Sequence, residues 1–210
     1  MRPLKEALQT LRDHRRLYLA VNLIYYGLVA VGAIVVWLNP WLQTALMTMV
    51  KEAFESSLPG LVEAYRGGHF LAAAAQTFSI NFFLGSLMVI TLPACFFPPA
   101  GVLVGFWRAF LRGPVLAPTT PQLSLVMIPH GLTLLLEGQA YILAIFAACR
   151  LGQALLWPEN FRLTSRWQAY VAGLRDTALV YILVAIVLLV SALWEAFEVI
   201  YIIAPMAGGL

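Results

Sequence analysis

Residues 17–38 read LYLAVNLIYYGLVAVGAIVVWL, 22 positions without a charged side chain. At a rise of about 1.5 Å per residue, a helix of that length crosses a hydrocarbon core of roughly 30 Å. Asn39, Pro40 and Trp41 follow with no small-residue cleavage site. The stretch therefore predicts an uncleaved anchor and not a signal peptide. The whole chain of 210 residues has the same character: 61% apolar, 11% charged, mean hydropathy +0.84. An average soluble domain carries about 25% charged residues. A soluble enzyme, a disordered tail and a disulfide-stapled scaffold are thereby excluded.

On the N-terminal side of the anchor, residues 1–16 carry Arg2, Lys5, Arg12, Arg15 and Arg16 against Glu6 and Asp13. Leu4, Ala7, Leu8 and Leu11 share one helical face, which predicts a short amphipathic helix on the cytoplasmic membrane surface. On the other side, residues 41–68 alternate apolar pairs (Trp41/Leu42, Ala45/Leu46, Met49/Val50, Ala53/Phe54) with polar ones. That pattern predicts extramembrane amphipathic helices, broken at Pro59-Gly60 and ended by Gly67-Gly68. Their balance of Lys51 and Arg66 against Glu52, Glu55 and Glu63 places them outside.

Residues 78–204 are expected to hold four further membrane segments in a single domain. Residues 67–107 lack a formal charge apart from the titratable His69, but Pro93, Pro98 and Pro99 argue against one unbroken helix. A span over 78–97 is expected, then a short segment starting near Ala100 and bearing Arg108 and Arg112. Residues 124–149 form the next stretch, interrupted by Pro129-His130-Gly131 and Glu137, and the last covers 177–204. Arg150, Arg162, Arg166 and Arg175 outnumber Glu159 and Asp176 in the 150–176 loop, so this loop and the N-terminus share the cytoplasmic side. An even number of crossings must separate them, which makes the 100–115 segment a span, costly unless its arginines snorkel or face a polar interior. The expected fold is an all-α polytopic transmembrane helical bundle of about five membrane segments, the middle one short and broken, plus amphipathic interfacial helices.

Charged groups at bilayer depth cost several kcal/mol (roughly 2.5–3.5 on insertion scales) unless paired or hydrated, so each one needs a reason. His130 and Glu137 are seven apart, about 700° on a helix, and point to one face, with Gln139 on another. Glu195 and Glu198 are three apart and neighbours on one helix surface, or belong to an outer belt with Trp194 and Tyr201. Asn22 and Asn81 add uncharged polar groups on other spans. Three readings fit the set Asn81, His130, Glu137, Glu195 and Glu198: an interhelical polar network, a proton- or ion-coupled site, and a mixed N/O metal site. Gly101 and Gly105 form a small-xxx-small packing pattern that a homodimer could also use.

No P-loop, Gly-rich nucleotide fingerprint, CxxC pair, His-Glu-x-x-His or Gly-x-Ser-x-Gly is present, so no cofactor, metal or catalytic residue is assigned and no enzyme is expected. Cys95 and Cys149 read as apolar fillers. The 13 Lys and Arg, for a net charge of +3, are dispersed over the segments between spans. Nucleic-acid binding would need them clustered on one solvated face.

Several stretches together resemble the stage II sporulation protein M family of membrane proteins. Leu4-Lys5-Glu6-Ala7 before the first span is similar, as is an amphipathic extramembrane segment ahead of a span holding Asn81 and Gly85. Ala100-Gly101-Val-Leu-Val-Gly105 stands where the family has Asn-Gly-x-x-x-Gly, without the asparagine. Ile128-Pro129-His130-Gly131, then Glu137, Ala140 and Arg150-Leu151-Gly152, resembles the family's most specific block. There the glutamate usually comes four residues after the histidine, whereas here the interval is seven. Ala192-Leu193-Trp194-Glu195-Ala196-Phe197 looks like the end of the family's last span. The resemblance implies five spans and no established enzymatic activity. The namesake works with peptidoglycan-degrading partners at the engulfing septum, and other members are associated with export systems or bacteriocin self-protection. The expected function is therefore a scaffold or accessory protein in the cytoplasmic membrane, joined to cell-wall hydrolases or ABC-type exporter subunits. A small proton- or ion-coupled transporter or channel using the His/Glu set is the alternative.

Overall fold

A computed structural model describes residues 2–161 and 165–206; Arg162, one of the basic residues counted for the 150–176 loop, lies outside them. The described residues are almost wholly helical, with no strand among them. In chain order the helices are α1 (Arg2–Asp13), α2 (Arg15–Leu38), α3 (Pro40–Ser57) and α4 (Pro59–Arg66). They continue as α5 (Phe70–Phe96), α6 (Pro98–Leu116), α7 (Pro121–Leu156) and α8 (Arg166–Met206). Prolines at the first positions of α3, α4, α6 and α7 start these helices where a missing N–H leaves no bond unmade. Thr120 caps α7 by accepting from the Leu123 N–H at 3.2 Å. Gly68, with φ of 67°, makes the left-handed turn out of α4.

Four of these helices among the described residues, α2, α5, most of α7 and α8, are long and apolar enough to cross a membrane. The protein is an integral membrane protein. The 67–107 run is broken as expected, and the span expected over 78–97 passes through Pro93: residues 80–91 hydrogen-bond in a wider i→i+5 pattern, and Pro93 falls in the first turn after it. The chain breaks only at Phe97, whose backbone is extended. Pro129-His130-Gly131 likewise leaves α7 helical throughout, since helices packed among neighbours re-satisfy what a proline frees. The spans also begin earlier than hydropathy suggested, α5 at Phe70 and α8 at Arg166, which shortens the 150–176 loop. Arg150 now belongs to α7 and pairs at 3.2 Å with Asp176 of α8.

The long helices alternate in direction. Gln43 at the start of α3 donates to the carbonyls of Pro114 and Ala117, fixing the end of α6 beside the end of α2. At the opposite end Pro98 of α6 meets Gly152 of α7, and Tyr170 of α8 donates to the Cys95 carbonyl of α5 at 2.7 Å. α7 and α8 form the central antiparallel pair, with Phe146, Val180, Val184 and Leu188 in their core. Residues 140–148 of α7 are buried without exception.

α2 and α6 approach backbone to backbone. A Cβ on Gly113 would run into the Val29 carbonyl and come within 2.6 Å of the Ala33 nitrogen, and one on Gly32 would strike the Phe110 carbonyl. The small-residue pair singled out in the sequence has a different role. Gly101 packs on Ile90 and Ala94 of α5, and Gly105 on Ile145 of α7. Both glycines are buried inside the chain, so this surface is not open to a second copy, contrary to the homodimer expectation.

α1 sits against α8, with Ala7 buried among Val180 and Val184, and Glu6 paired with Arg175 at 3.4 Å. Part of its apolar face therefore meets protein, while Leu4 and Leu8 stay exposed. α3 and α4 form a hairpin. The first turns of α3 bury Gln43 and half-bury Leu42 and Leu46; the later turns are exposed, with Val50 and Phe54 facing a cleft against the bundle. The residue α3 buries most deeply is polar, Gln43 at 5% exposure, whereas Trp41 is 71% exposed. α4 returns to the bundle through Leu61 and Ala64.

Candidate functional site

Six helices converge on a half-open cleft of about 510 Å³. Val50, Phe54, Leu58 and Leu61 of the α3–α4 hairpin give one apolar wall, and Leu111 and Val115 of α6 give another. Asn81 of α5, Arg108 and Arg112 of α6, His130 and Glu137 of α7, and Glu195 of α8 supply its polar lining. The helical turn carries each to this place. Arg108 and Arg112 are one turn apart on α6, and His130 and Glu137 two turns apart on α7.

Glu137 is the hub. Its Oε2 accepts from Arg112 at 2.5 Å, and its Oε1 accepts from the Asn81 side-chain amide at 2.5 Å. Asn81 in turn accepts from the Tyr141 hydroxyl at 2.7 Å. The Tyr141 ring lies under both arginines, 5.0 Å from Arg108 and 4.5 Å from Arg112, in cation–π geometry. Arg108 donates to the Gly85 carbonyl at 2.6 Å and has no carboxylate partner among the described residues. The close approach of Tyr141 to α5 at this level needs Gly85, where a Cβ would meet the Tyr141 hydroxyl. The arginine-bearing segment is thus accommodated by a polar interior, one of the two conditions set by its composition.

His130 and Glu137 share a face, as their spacing requires, but do not pair. His130 Nδ1 lies 2.5 Å from Glu198 Oε1, which also accepts from Thr133 at 2.8 Å. Glu198 is fully buried, so the outer-belt placement does not hold for it. Glu195, one turn earlier, opens on the cleft beside Glu137. Its Oε2 is buried with no hydrogen-bond partner among the described residues, and the same is true of Glu198 Oε2. Tyr65 of α4 closes the hairpin side by bonding Thr77 at 2.8 Å; burial, helped by the Glu195 charge, raises its pKa above that of a free phenol. Gln139 faces away, as expected, and joins Tyr18, Asn22 and Tyr26 of α2 in a separate uncharged network.

Asn81, His130, Glu137 and Glu195 therefore come together in one cleft, with Glu198 buried behind His130. Arg108, Arg112, Thr133 and Tyr141 belong to the same constellation and were not counted with it. For the arginines a signal existed: two cations inside a span demand a nearby acid. Nothing in the spacing marks Thr133 or Tyr141. Among the described residues no group of three or more His, Cys, Asp or Glu is arranged to hold a metal ion.

The family model for stage II sporulation protein M matches residues 21–198. The chain belongs to that family. No curated protein and no solved structure matches it. The stretch matched to the stage II sporulation protein M family leaves out α1. It includes both wings of the α3–α4 hairpin and every polar residue of the cleft, ending on Glu198. Here His130 meets α8 through Glu198, and Glu137 meets α6 through Arg112.

Proposed function

We propose that this stage II sporulation protein M family member is a non-catalytic scaffold or accessory subunit of the cytoplasmic membrane. It assembles with other membrane or envelope proteins, of which cell-wall hydrolases and ABC-type exporter subunits are the expected classes. The observation that carries this reading is α3. It is held at one end by Gln43 and presents Trp41 and Met49 exposed, an apolar surface outside the spans. The proposed topology has five crossings with the N-terminus in the cytoplasm. Its support is the gathering of Arg2, Lys5, Arg12, Arg15, Arg16, Arg150, Arg166 and Arg175 at the end of the bundle that holds α1.

Affinity purification from native membranes in mild detergent, read by mass spectrometry, tests the proposal. A defined membrane or envelope partner is expected to co-purify and to be lost in Trp41→Glu/Met49→Glu, while the variant stays in the membrane fraction. A chain that purifies alone, or a partner indifferent to these substitutions, would sink it. The second reading, an ion- or proton-coupled transporter, draws on the convergence of Arg108, Arg112, Glu137 and Glu195 in one cleft. Against it stands the close-packed run of buried residues 140–148 along α7 beyond the cleft. Flux in liposomes that disappears in Glu137→Gln would favour it.

A further inference from the structure

α1 divides its charges between two faces. Its acids, Glu6 and Asp13, border a groove against α8, where Glu6 pairs with Arg175 at 3.4 Å. Its bases Lys5 and Arg12 are seven apart, within about 20° of one helical face, and both are exposed. Leu4 and Leu8 are exposed as well and form the adjoining stripe, with Leu8 one turn before Arg12. Arg15 and Arg16, exposed at the start of α2, extend the basic row. Lys5, Arg12, Arg15 and Arg16 have no carboxylate partner among the described residues.

Positive charge beside a span orients the span, but orientation alone does not sort acids from bases around a helix or set leucines next to the bases. Ala7, buried against α8, fixes which face of α1 looks away from the bundle. Only His14 separates α1 from the span α2, so this face stands where the span leaves the bilayer. An edge that is basic on one side and aliphatic on the other matches the boundary of a leaflet, where phosphates meet acyl chains. We infer that α1 and the start of α2 bind anionic phospholipid at that end of the bundle. The phosphates lie on Lys5, Arg12, Arg15 and Arg16, and acyl chain lies against Leu4 and Leu8. A zwitterionic lipid brings its own ammonium to the same row and loses the net attraction. The surface shares no residue with α3 and stands or falls without the assembly role.

Native mass spectrometry of the purified full chain tests the surface, with phosphatidylglycerol, phosphatidylcholine of the same acyl chains, and soluble glycerol 1-phosphate as the probes. Phosphatidylglycerol is expected to be retained about tenfold better than phosphatidylcholine, with glycerol 1-phosphate not retained. Lys5→Gln and Arg12→Gln should each weaken that preference about fivefold, the usual effect of one basic side chain at an anionic surface. Leu4→Gln/Leu8→Gln should lower retention of phosphatidylglycerol without touching a charge. Arg166→Gln, exposed at the same end of the bundle, is the control and should change nothing. All variants are compared in chains whose helical content and monodispersity match the parent. Equal retention of the two lipids would overturn the anionic preference, and retention of glycerol 1-phosphate alone would overturn the lipid. An equal loss in Arg166→Gln, or a preference unaltered by the α1 substitutions, would overturn the site.

Discussion

Glu137→Ala should lower the stability of the detergent-solubilised protein by about 3–5 kcal/mol, the usual cost of leaving one half of a buried ion pair uncompensated. The substitution strands Arg112, whose side chain is 21% exposed, and also frees the Asn81 amide that Glu137 accepts from. Arg112→Ala should cost a similar amount by stranding Glu137. The informative comparison is the double variant Arg112→Met/Glu137→Leu. Removing both charges and refilling the volume should recover most of the loss, so the two single effects must be strongly non-additive. Thermal unfolding followed by circular dichroism would measure all three. Additive losses would mean that the two side chains do not share a site.

The second large effect is steric. Gly113→Leu should destabilise by about 3 kcal/mol, at the upper end of overpacking costs, because the new Cβ has the backbone of α2 in front of it and no flexible side chain to displace. α6 would have to move off α2, and Arg108 and Arg112 would move with it, so loss of the cleft should accompany loss of stability. Gly131→Ala is the matched control. A Cβ there meets nothing within 4 Å, and alanine in a helix is favoured over glycine by up to about 1 kcal/mol. The control should be neutral or more stable in the same thermal assay. Equal losses at the two glycines would contradict the close α2–α6 approach.

The unequal legibility of these features has a physical basis. Hydropathy is a property of each segment alone, so the spans and the amphipathic hairpin could be read directly, apart from ends displaced by several residues. Proline is also a local signal: Pro98 and Pro99 open α6 straight after the break at Phe97, whereas Pro129 leaves α7 helical. Helical rotation showed that His130 and Glu137 share a face. It could not show which helix each would meet, since partner choice depends on how α6 and α8 flank α7. The arginines of α6 looked like a liability while considered alone and became the partners of Glu137 and Tyr141 once the helix was placed. Gln43 ran against its pattern altogether. On an apparently amphipathic helix it is the polar residue that is buried, because the open carbonyls at the end of α6 need a donor.

Everything proposed for the cleft depends on α6 crossing the membrane and carrying Arg108 and Arg112 into its interior. At 19 residues and roughly 28 Å it is just long enough. The direct measurement uses a chain with Cys95 and Cys149 replaced by alanine and a single cysteine placed at Phe97 or at Thr120, one beyond each end of α6. Labelling with a membrane-impermeant maleimide in intact cells is expected to modify the cysteine at 120 and to spare the one at 97 until the membrane is opened. Labelling of both from the same side would make α6 a re-entrant segment and would contradict the five-crossing arrangement.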